Sequence, residues 1–581
     1  MVTGCDSISL KNLRCSLDRR PNFPGLNPLG TSHSGALGGL LLRSHAIHSP
    51  EIARPFKVER KYIVSNHDSN AAEESRLGAL GYRQELSRVL GRFDSFSVAF
   101  TYLSPMVGIY SLFVLGAGSG GPRYIWLMLV PVIGMYFVAM VFAELGSHYP
   151  ISGALYQYAK SSVGPKYGWW VGWFYSVALL VTVAAVDTGV VPYLTGILHD
   201  WFKLNLDPTK HSTILMLTLI LLAVQTFLNV TGAKMMGRVA SIGSYVEIFG
   251  TLGIALILAA AGFHHGFGFL FTTQGSENAA TNSLGVGFGG HWWLGAALIA
   301  VMAPAFIFYG FESAGDVAEE TVDASRQVPR AMRQALIAGA VTSFVLVAAL
   351  LLAIPNDPKS YKLATSFDGG IPFILESAIH SKALKDILLL AVVFAFFSCG
   401  SSILGASSRM LFSYARDGAT PASHVLSKVS KRFHTPVNAL LIGALVPLFF
   451  TLLVNVTPSK DIKILFMTYP AHVSALTSLV SFGVSGIYLA FLLTVLGALI
   501  ARRRGWKATG HYTLGDKGMM VNVIALAYLV IMFINLVIPT GLSSPRGALF
   551  NLDWVTLMVI AVLAIVGMLV YLIAPANKKK S

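Results

Sequence analysis

Charge is scarce in this chain. Only 12% of its 581 residues are Asp, Glu, Lys or Arg, against roughly 25% for a soluble globular domain. So few ions cannot wet the surface of a chain this long, which excludes an ordinary soluble protein. Cysteine is scarcer still. Cys5, Cys15 and Cys399 have neither an even count nor metal-type spacing, which argues against a disulfide framework and a zinc site. No Ser or Cys stands out as a nucleophile paired with His, and the histidines form no metal constellation. An enzyme is therefore not indicated, and no cofactor or metal is expected. Acidic residues number 28 against 43 basic ones. A basic balance can serve nucleic acid, but this excess lies between apolar runs and near the N-terminus, without a basic helix or an RNA-type aromatic motif. It reads as topology-setting charge, and no nucleic-acid partner is expected.

What the chain has is apolar length. It is 54% hydrophobic, with a mean hydropathy of +0.63. Twelve runs of membrane-spanning length, about 20 residues each, lie near 93–115, 123–145, 168–198, 212–230, 239–262, 292–315, 335–355, 385–412, 437–455, 472–500, 519–540 and 553–575. The expected fold is an all-α polytopic membrane protein with twelve transmembrane helices and the lipid bilayer as its surroundings. With both termini in the cytosol, the inner loops and C-terminus hold about twice the Lys and Arg of the outer loops, as positive-inside topology requires. Arg502-Arg503-Arg504 and Lys578-Lys579-Lys580 lie on the inner side in that arrangement.

The divisions expected along the chain are four. Residues 1–78 are polar and Ser-, Arg-, Gly- and Pro-rich, and read as a disordered cytosolic tail, a transit segment or an over-extended start. Residues 79–501 hold a core of ten helices, 502–575 two further helices, and 576–581 a basic cytosolic C-terminus. Two familiar patterns carry little weight. Residues 116–121 spell the dinucleotide fingerprint, but that motif needs a preceding strand, so they read as a short outer loop. Asn455-Val456-Thr457 matches a glycosylation acceptor.

Two runs are broken at mid-depth. The first carries Ser104-Pro105-Met106-Val107-Gly108, and the sixth carries Pro304, Gly310 and Gly315. Unpaired backbone is costly in hydrocarbon and is tolerated where it lines a cavity. Five helices apart, the breaks have the spacing of corresponding members of two five-helix repeats, the arrangement that marks a substrate site in secondary transporters. A half-helix beginning after Gly108 would offer N–H groups to a carboxylate. Carbonyls ending the half-helix before Gly310 would suit an ammonium.

Four long segments then resemble one family. "LGYRQELSRVLGRFDSFSVAF" (80–100), "AELGSHYPISGALYQYAKSSVGPKYGWWVGW" (143–173), "GFESAGDVAEETVDASRQVPRAM" (310–332) and "SRMLFSYARDGATPASHVLSKVSKRFHTPVNAL" (408–440) are similar to the amino acid–polyamine–organocation (APC) superfamily, and within it to the amino acid/choline permease branch. The resemblance implies a five-plus-five inverted repeat with two added C-terminal helices, unwound first and sixth helices, and alternating-access transport of amino acids or related amines in the plasma membrane (a cell inner membrane in a bacterium). It implies a small-molecule substrate, with H+ or Na+ as coupling ion. The family's Gly-Ser-Gly-type stretch falls on Met106-Val107-Gly108, so the pocket is expected to narrow at Met106. A gating aromatic falls on Phe306, and the amine-holding carbonyls fall near Phe308 and Tyr309. The expected substrate contacts are Ser104, Met106, Val107, Gly108 and Ile109 on the first break, and Phe306, Phe308, Tyr309 and Gly310 on the second.

Ionisable residues inside spans are expensive and usually functional. Glu247 falls where several amino acid branches carry a lysine, and it is expected to couple protons or to be satisfied by neighbouring hydroxyls. Glu312 follows the second break and is expected to tie that helix down or to gate it. Asp187 lies in the third run and Glu144 at the inner end of the second. Ser401 and Ser402 in the eighth run suit either a cation site or plain helix packing. Proton-coupled symport or exchange is the leading mechanism. A substrate-sensing receptor of the same fold, a carrier of choline, ethanolamine or polyamine-type amines, and an ion channel remain open.

Overall fold

The computed structural model describes residues 70–276, 292–454, 462–464, 467–469, 475–537 and 555–575. The chain before residue 70, the Asn455–Thr457 acceptor and the lysines at 578–580 lie outside them. Helices dominate. After α1 (70–79) come α2 (Arg92–Leu103), α3 (Pro105–Gly120), α4 (Tyr124–Leu127), α5 (Leu129–His148), α6 (Ala154–Ser162), α7 (Pro165–Gly189), α8 (Val191–Phe202), α9 (His211–Val230) and α10 (Ala233–Ala261). The broken sixth run holds α11 (Ala296–Ala300), α12 (Met302–Ile307) and α13 (Ser313–Asp316). Then follow α14 (Ala324–Leu352), α15 (Pro358–Ala364), α16 (Gly370–Ala378), α17 (Lys382–Arg416), α18 (Ser423–Leu426), α19 (Val437–Val454), α20 (Ala475–Arg503), α21 (Gly518–Val537) and α22 (Val555–Ile573). Two three-residue strands, β1 (Ile462–Ile464) and β2 (Met467–Tyr469), pair antiparallel with Ile464 opposite Met467.

Among the described residues, nine helical stretches are long and apolar enough to cross a membrane, and Ala296–Ile307, Val437–Leu452 and Val559–Ile573 are shorter apolar helices. Phe227, Phe249, Leu256 and Ile531 are at least 66% exposed. Rings and branched chains facing outward in such number suit lipid rather than water, which accounts for the missing charge. Inside, α7 packs along α20 and α17, while α2 lies against α10, α14 and α17.

Three expectations need revision. Residues 70–79 are helical, so order begins inside the stretch read as a tail to residue 78. Glu73 fixes this helix: its Oε1 accepts the Ser325 hydroxyl at 2.5 Å and the Ser325 N–H at 3.4 Å, a carboxylate at the positive end of α14. The glycine-rich 116–121 stretch is the last turn of α3 and its cap rather than a loop. The third run divides at Val190 into α7 and α8.

One end of the bundle is tied by ion pairs. Arg409 holds Glu320 through two contacts of 2.9 Å, both side chains fully buried. Arg416 grips Glu319 at 2.7 and 3.0 Å, Lys160 meets Asp417 at 2.6 Å, and Arg502 meets Glu144. The segment leading into α2 joins them, with Leu90 N–H donating to Glu320 O at 2.9 Å and Val322 N–H to Leu90 O at 3.0 Å.

Candidate functional site

The first break follows from two adjacent residues. Pro105 has no N–H, and its ring excludes the carbonyl four residues earlier, so α2 cannot run through it. Its fixed φ suits the opening position of a new helix. Ser104 makes the joint, at φ 39° and ψ 86°, a left-handed conformation uncommon outside glycine.

Two of the donors at the start of α3 are hydrogen-bonded within the joint. The Met106 N–H faces the Glu247 carboxylate, Val107 N–H reaches Ser104 Oγ at 3.3 Å, and Gly108 N–H reaches Ser104 O at 3.0 Å. The Ser104 hydroxyl donates to Glu247 Oε2 at 2.8 Å. The half-helix therefore starts at Pro105, not after Gly108, and the Ser104 side chain, itself bonded to the Glu247 carboxylate, caps it. Conversely, Thr101, Tyr102 and Leu103 have lost the donors that residues 105–107 would supply in a continuous helix. Tyr102 O instead faces the Cys399 thiol at 3.6 Å.

The second break lies between Ile307 and Ser313. Gly310 has φ 106°, and a Cβ there would stand 2.6 Å from Leu103 N, so the chain passes directly against the first break. A Cβ on Gly108 would stand 2.6 Å from Ile307 Cγ1. The two breaks interlock, each through a missing side chain. Glu312 Oε2 accepts the Gly310 N–H at 2.8 Å, and the Ser313 hydroxyl donates to Gly310 O at 2.7 Å. A protein carboxylate thus occupies the donor side of this break as well.

Between the breaks lies a cavity of about 10 Å³, far below the roughly 300–1,000 Å³ of typical small-molecule sites. Of the residues expected to touch substrate, Val107, Gly108, Phe306 and Tyr309 line it. Met106 does not. It is fully buried and its Cε packs toward Gly250 on α10, so it does not narrow this cavity. Ser104, Ile109, Phe308 and Gly310 shape the breaks behind the lining. Sequence reasoning missed Tyr102, Leu103, Thr182, Val186, Cys399 and Ile403, which complete the wall. The Tyr102 and Tyr309 rings meet edge-on at 6.0 Å, and Phe306 and Tyr309 at 5.6 Å. The Tyr102 hydroxyl has no hydrogen-bond partner among the described residues.

Four carboxyl groups surround this region, each at most 1% exposed. Glu247 and Glu312 are described above. Asp316, which the sequence reading passed over, shares the Tyr175 hydroxyl with Glu312: Oη lies 3.0 Å from Asp316 Oδ2 and 3.3 Å from Glu312 Oε1. Asp187 Oδ1 accepts from Gln225 at 2.8 Å. Among the described residues none of the four forms a salt bridge, and Glu247, Asp187 and Asp316 each keep an oxygen without a partner. A signal for Asp316 was present, since it lies one helical turn beyond Glu312. The other two hydroxyls are engaged: Ser402 Oγ with Thr101 Oγ1 at 2.7 Å, and Ser401 Oγ with Asn229 at 3.0 Å. Glu144 is not part of this group, being held by Arg502 and by the Leu514 N–H at 2.8 Å.

Residues 90–564 match the family model described as amino acid permease. The chain is similar to amino-acid permease BAT1 of Arabidopsis thaliana, at 25% identity over 80% of this chain and 88% of the relative. It is similar to the uncharacterized amino-acid permease C74.04 of Schizosaccharomyces pombe, at 26% over 88% and 86%. It is also similar to the choline transporter of Saccharomyces cerevisiae, at 24% over 91% and 88%.

Proposed function

We propose a transport function from a plain premise: the chain belongs to the amino acid permease family. It is a member of the APC superfamily, in the branch of amino acid and choline permeases. It is a multi-pass membrane transporter of amino acids or amines, not an enzyme.

The finer reading is secondary-active transport by alternating access, through twelve helices built as a five-plus-five inverted repeat plus two, in the plasma membrane with both termini cytosolic. The observation that carries it is the interlock of two helix breaks around one cavity, Gly310 against Leu103 and Gly108 against Ile307. Unsatisfied backbone at mid-membrane has a use where it grips a solute that comes and goes. Glu247 is the proton-coupling residue in this reading. Its hydroxyl partner Ser104 forms the joint of the first break, so adding or removing a proton acts directly on that joint. Glu312 gates, because it holds the Gly310 N–H at the second break. Protons are favoured over sodium because Ser401 and Ser402 already bond to neighbouring helices.

Purified protein in proteoliposomes, given radiolabelled amino acids and amines with an imposed pH or sodium gradient, tests this reading. Accumulation driven by the proton gradient, with Glu247→Gln retaining exchange but losing that drive, is expected. Binding without accumulation of any solute would make the protein a receptor instead.

A further inference from the structure

We propose that the site selects amines by their cationic end alone, with Glu247 filling the place at the first break that an amino acid's carboxylate would take. The inference rests on the transport reading and adds to it the substrate class.

Three sets of observations converge. The first is the accounting of donors. Pro105 has none, the N–H groups of Val107 and Gly108 go to Ser104 Oγ and Ser104 O, and the Met106 N–H lies beside the buried Glu247 carboxylate. A substrate carboxylate approaching the start of α3 meets Glu247 there and would have to displace it. At the second break Glu312 likewise takes the Gly310 N–H. Both positive sides of the broken backbone are neutralised from within.

The second is what remains open. The C-terminal end of α2 reaches the cavity at Tyr102 and Leu103, and its last carbonyls have no helical donors. The α12 helix also ends its carbonyl side at the cavity, beside Phe306. Helix C-termini carry partial negative charge and favour cations. The rings of Tyr102, Phe306 and Tyr309 meet edge to face around the same space, an arrangement that receives ammonium and quaternary ammonium groups through cation–π attraction. The Tyr102 hydroxyl, buried and without a partner, is an acceptor in the same wall.

The third is charge. Among the described residues no Lys, Arg or His lines the cavity, and Glu247, Glu312, Asp316 and Asp187 form no salt bridge. A zwitterion brings its own anion into this setting, where nothing offsets it. An amine brings only the cation that the setting lacks. Displacing a hydrogen-bonded charged group costs enough to separate the two by about tenfold or more.

The test uses pairs of solutes that differ by one carboxylate: choline and glycine betaine, ethanolamine and glycine, putrescine and ornithine. Competition binding to the full-length protein in nanodiscs is compared with uptake into proteoliposomes. The amine of a recognised pair should bind at least about tenfold more tightly than its carboxylate partner. Glu247→Gln, whose amide can donate to a carboxylate, should shrink that gap; the wild-type comparison decides the matter even if this variant fails to fold. Equal or tighter binding of the carboxylate members overturns the inference, and their accumulation would do so while leaving the transport reading intact. Failure of every pair to bind also overturns it. Amine-selective binding without any accumulation upholds the inference and removes the transport reading.

Discussion

Substituting alanine at Gly310 and at Gly108 probes the interlock from its two sides, and the two substitutions should behave differently. At Gly310 the obstacle is backbone: a new Cβ would stand 2.6 Å from Leu103 N and 2.9 Å from Leu103 Cα, at a φ of 106°. The strained conformation costs about 1–3 kcal/mol and the overpacking about 1–3 kcal/mol more. Neither can relax without parting the two breaks. At Gly108 the nearest atom is a side-chain carbon, Ile307 Cγ1 at 2.6 Å, and helical geometry welcomes alanine by about 1 kcal/mol, which offsets part of the clash. Gly310→Ala should therefore destabilise by about 2–6 kcal/mol and abolish transport. Gly108→Ala should be milder, and Ile307→Ala should partly rescue it, with a coupling of about 1–3 kcal/mol in the double-mutant cycle. Thermal midpoints of purified protein and uptake into vesicles read both effects. A Gly310→Ala protein with wild-type midpoint and uptake would refute the claim that the breaks touch through missing side chains. Additive Gly108 and Ile307 effects would refute the second contact.

Removing one partner of the fully buried Arg409–Glu320 pair should cost about 3–5 kcal/mol, seen as lost folded yield. Lys382→Ala, whose pair with Asp200 is 61% and 34% exposed, should cost under about 1 kcal/mol. Burial and the neighbouring Arg326 and Arg76 hold the His511 imidazole below its ordinary value, and its Nε2 accepts from Arg76 of α1 at 3.1 Å. A lowered value means the folded state binds the proton less readily than the unfolded chain. This contribution is therefore complete above about pH 6.5 and disappears as pH falls through the folded value. Amide protection in 70–79, taken relative to the intrinsic exchange rate at each pH, should fall between neutral and mildly acid pH, and His511→Gln should flatten that fall; pH-independent protection in the wild type would contradict it.

The sequence made the breaks legible because proline and glycine act locally. Pro105 stops a helix whatever surrounds it, and Gly310 announces a φ that other residues avoid. What was not legible was direction around a helix axis. Successive residues turn by about 100°, so Val107 and Gly108 face the cavity while Met106 faces Gly250, and only packing fixes the starting angle. Thr182 and Val186, like Cys399 and Ile403, have the four-residue spacing of one helical face, but nothing in a uniformly apolar helix marks which face matters. Glu247 was legible as an anomaly and not as a cap, because its partners lie 143 residues away in sequence. The start of α3 shifted for a related reason: Ser104, held by the distant Glu247 carboxylate, satisfies the N–H groups of Val107 and Gly108 through its hydroxyl and its carbonyl.

The carboxyl groups fall into two populations, and the division bears on how the molecule opens. At the end of the bundle where α2 begins, Glu144, Glu319, Glu320 and Asp417 are each held by an Arg or Lys; around the cavity four others have hydroxyls, an amide or backbone N–H groups instead. Separating a buried ion pair costs about 3–5 kcal/mol. Driving a two-state change from one percent to ninety-nine takes about 5.5 kcal/mol of differential binding. A substrate can therefore fund the loss of one such pair but not of three. In the proposed alternating-access reading, opening at this end leaves Arg409–Glu320 and Arg416–Glu319 closed and parts somewhere weaker. The seam without an ion pair among the described residues is the segment before α2, joined to 319–322 by backbone bonds from Val89, Leu90 and Val322 and by side-chain bonds from Gln84 to Glu319 O and Arg88 to Thr321 O, each neutral bond worth about 0.5–1.5 kcal/mol net. In the same proposed reading, the second broken helix would stay with α17 through these pairs while the first broken helix moves against both. That motion would part Leu103 from Gly310 and Ser104 from Glu247, making the joint that opens the path also the joint that holds the solute.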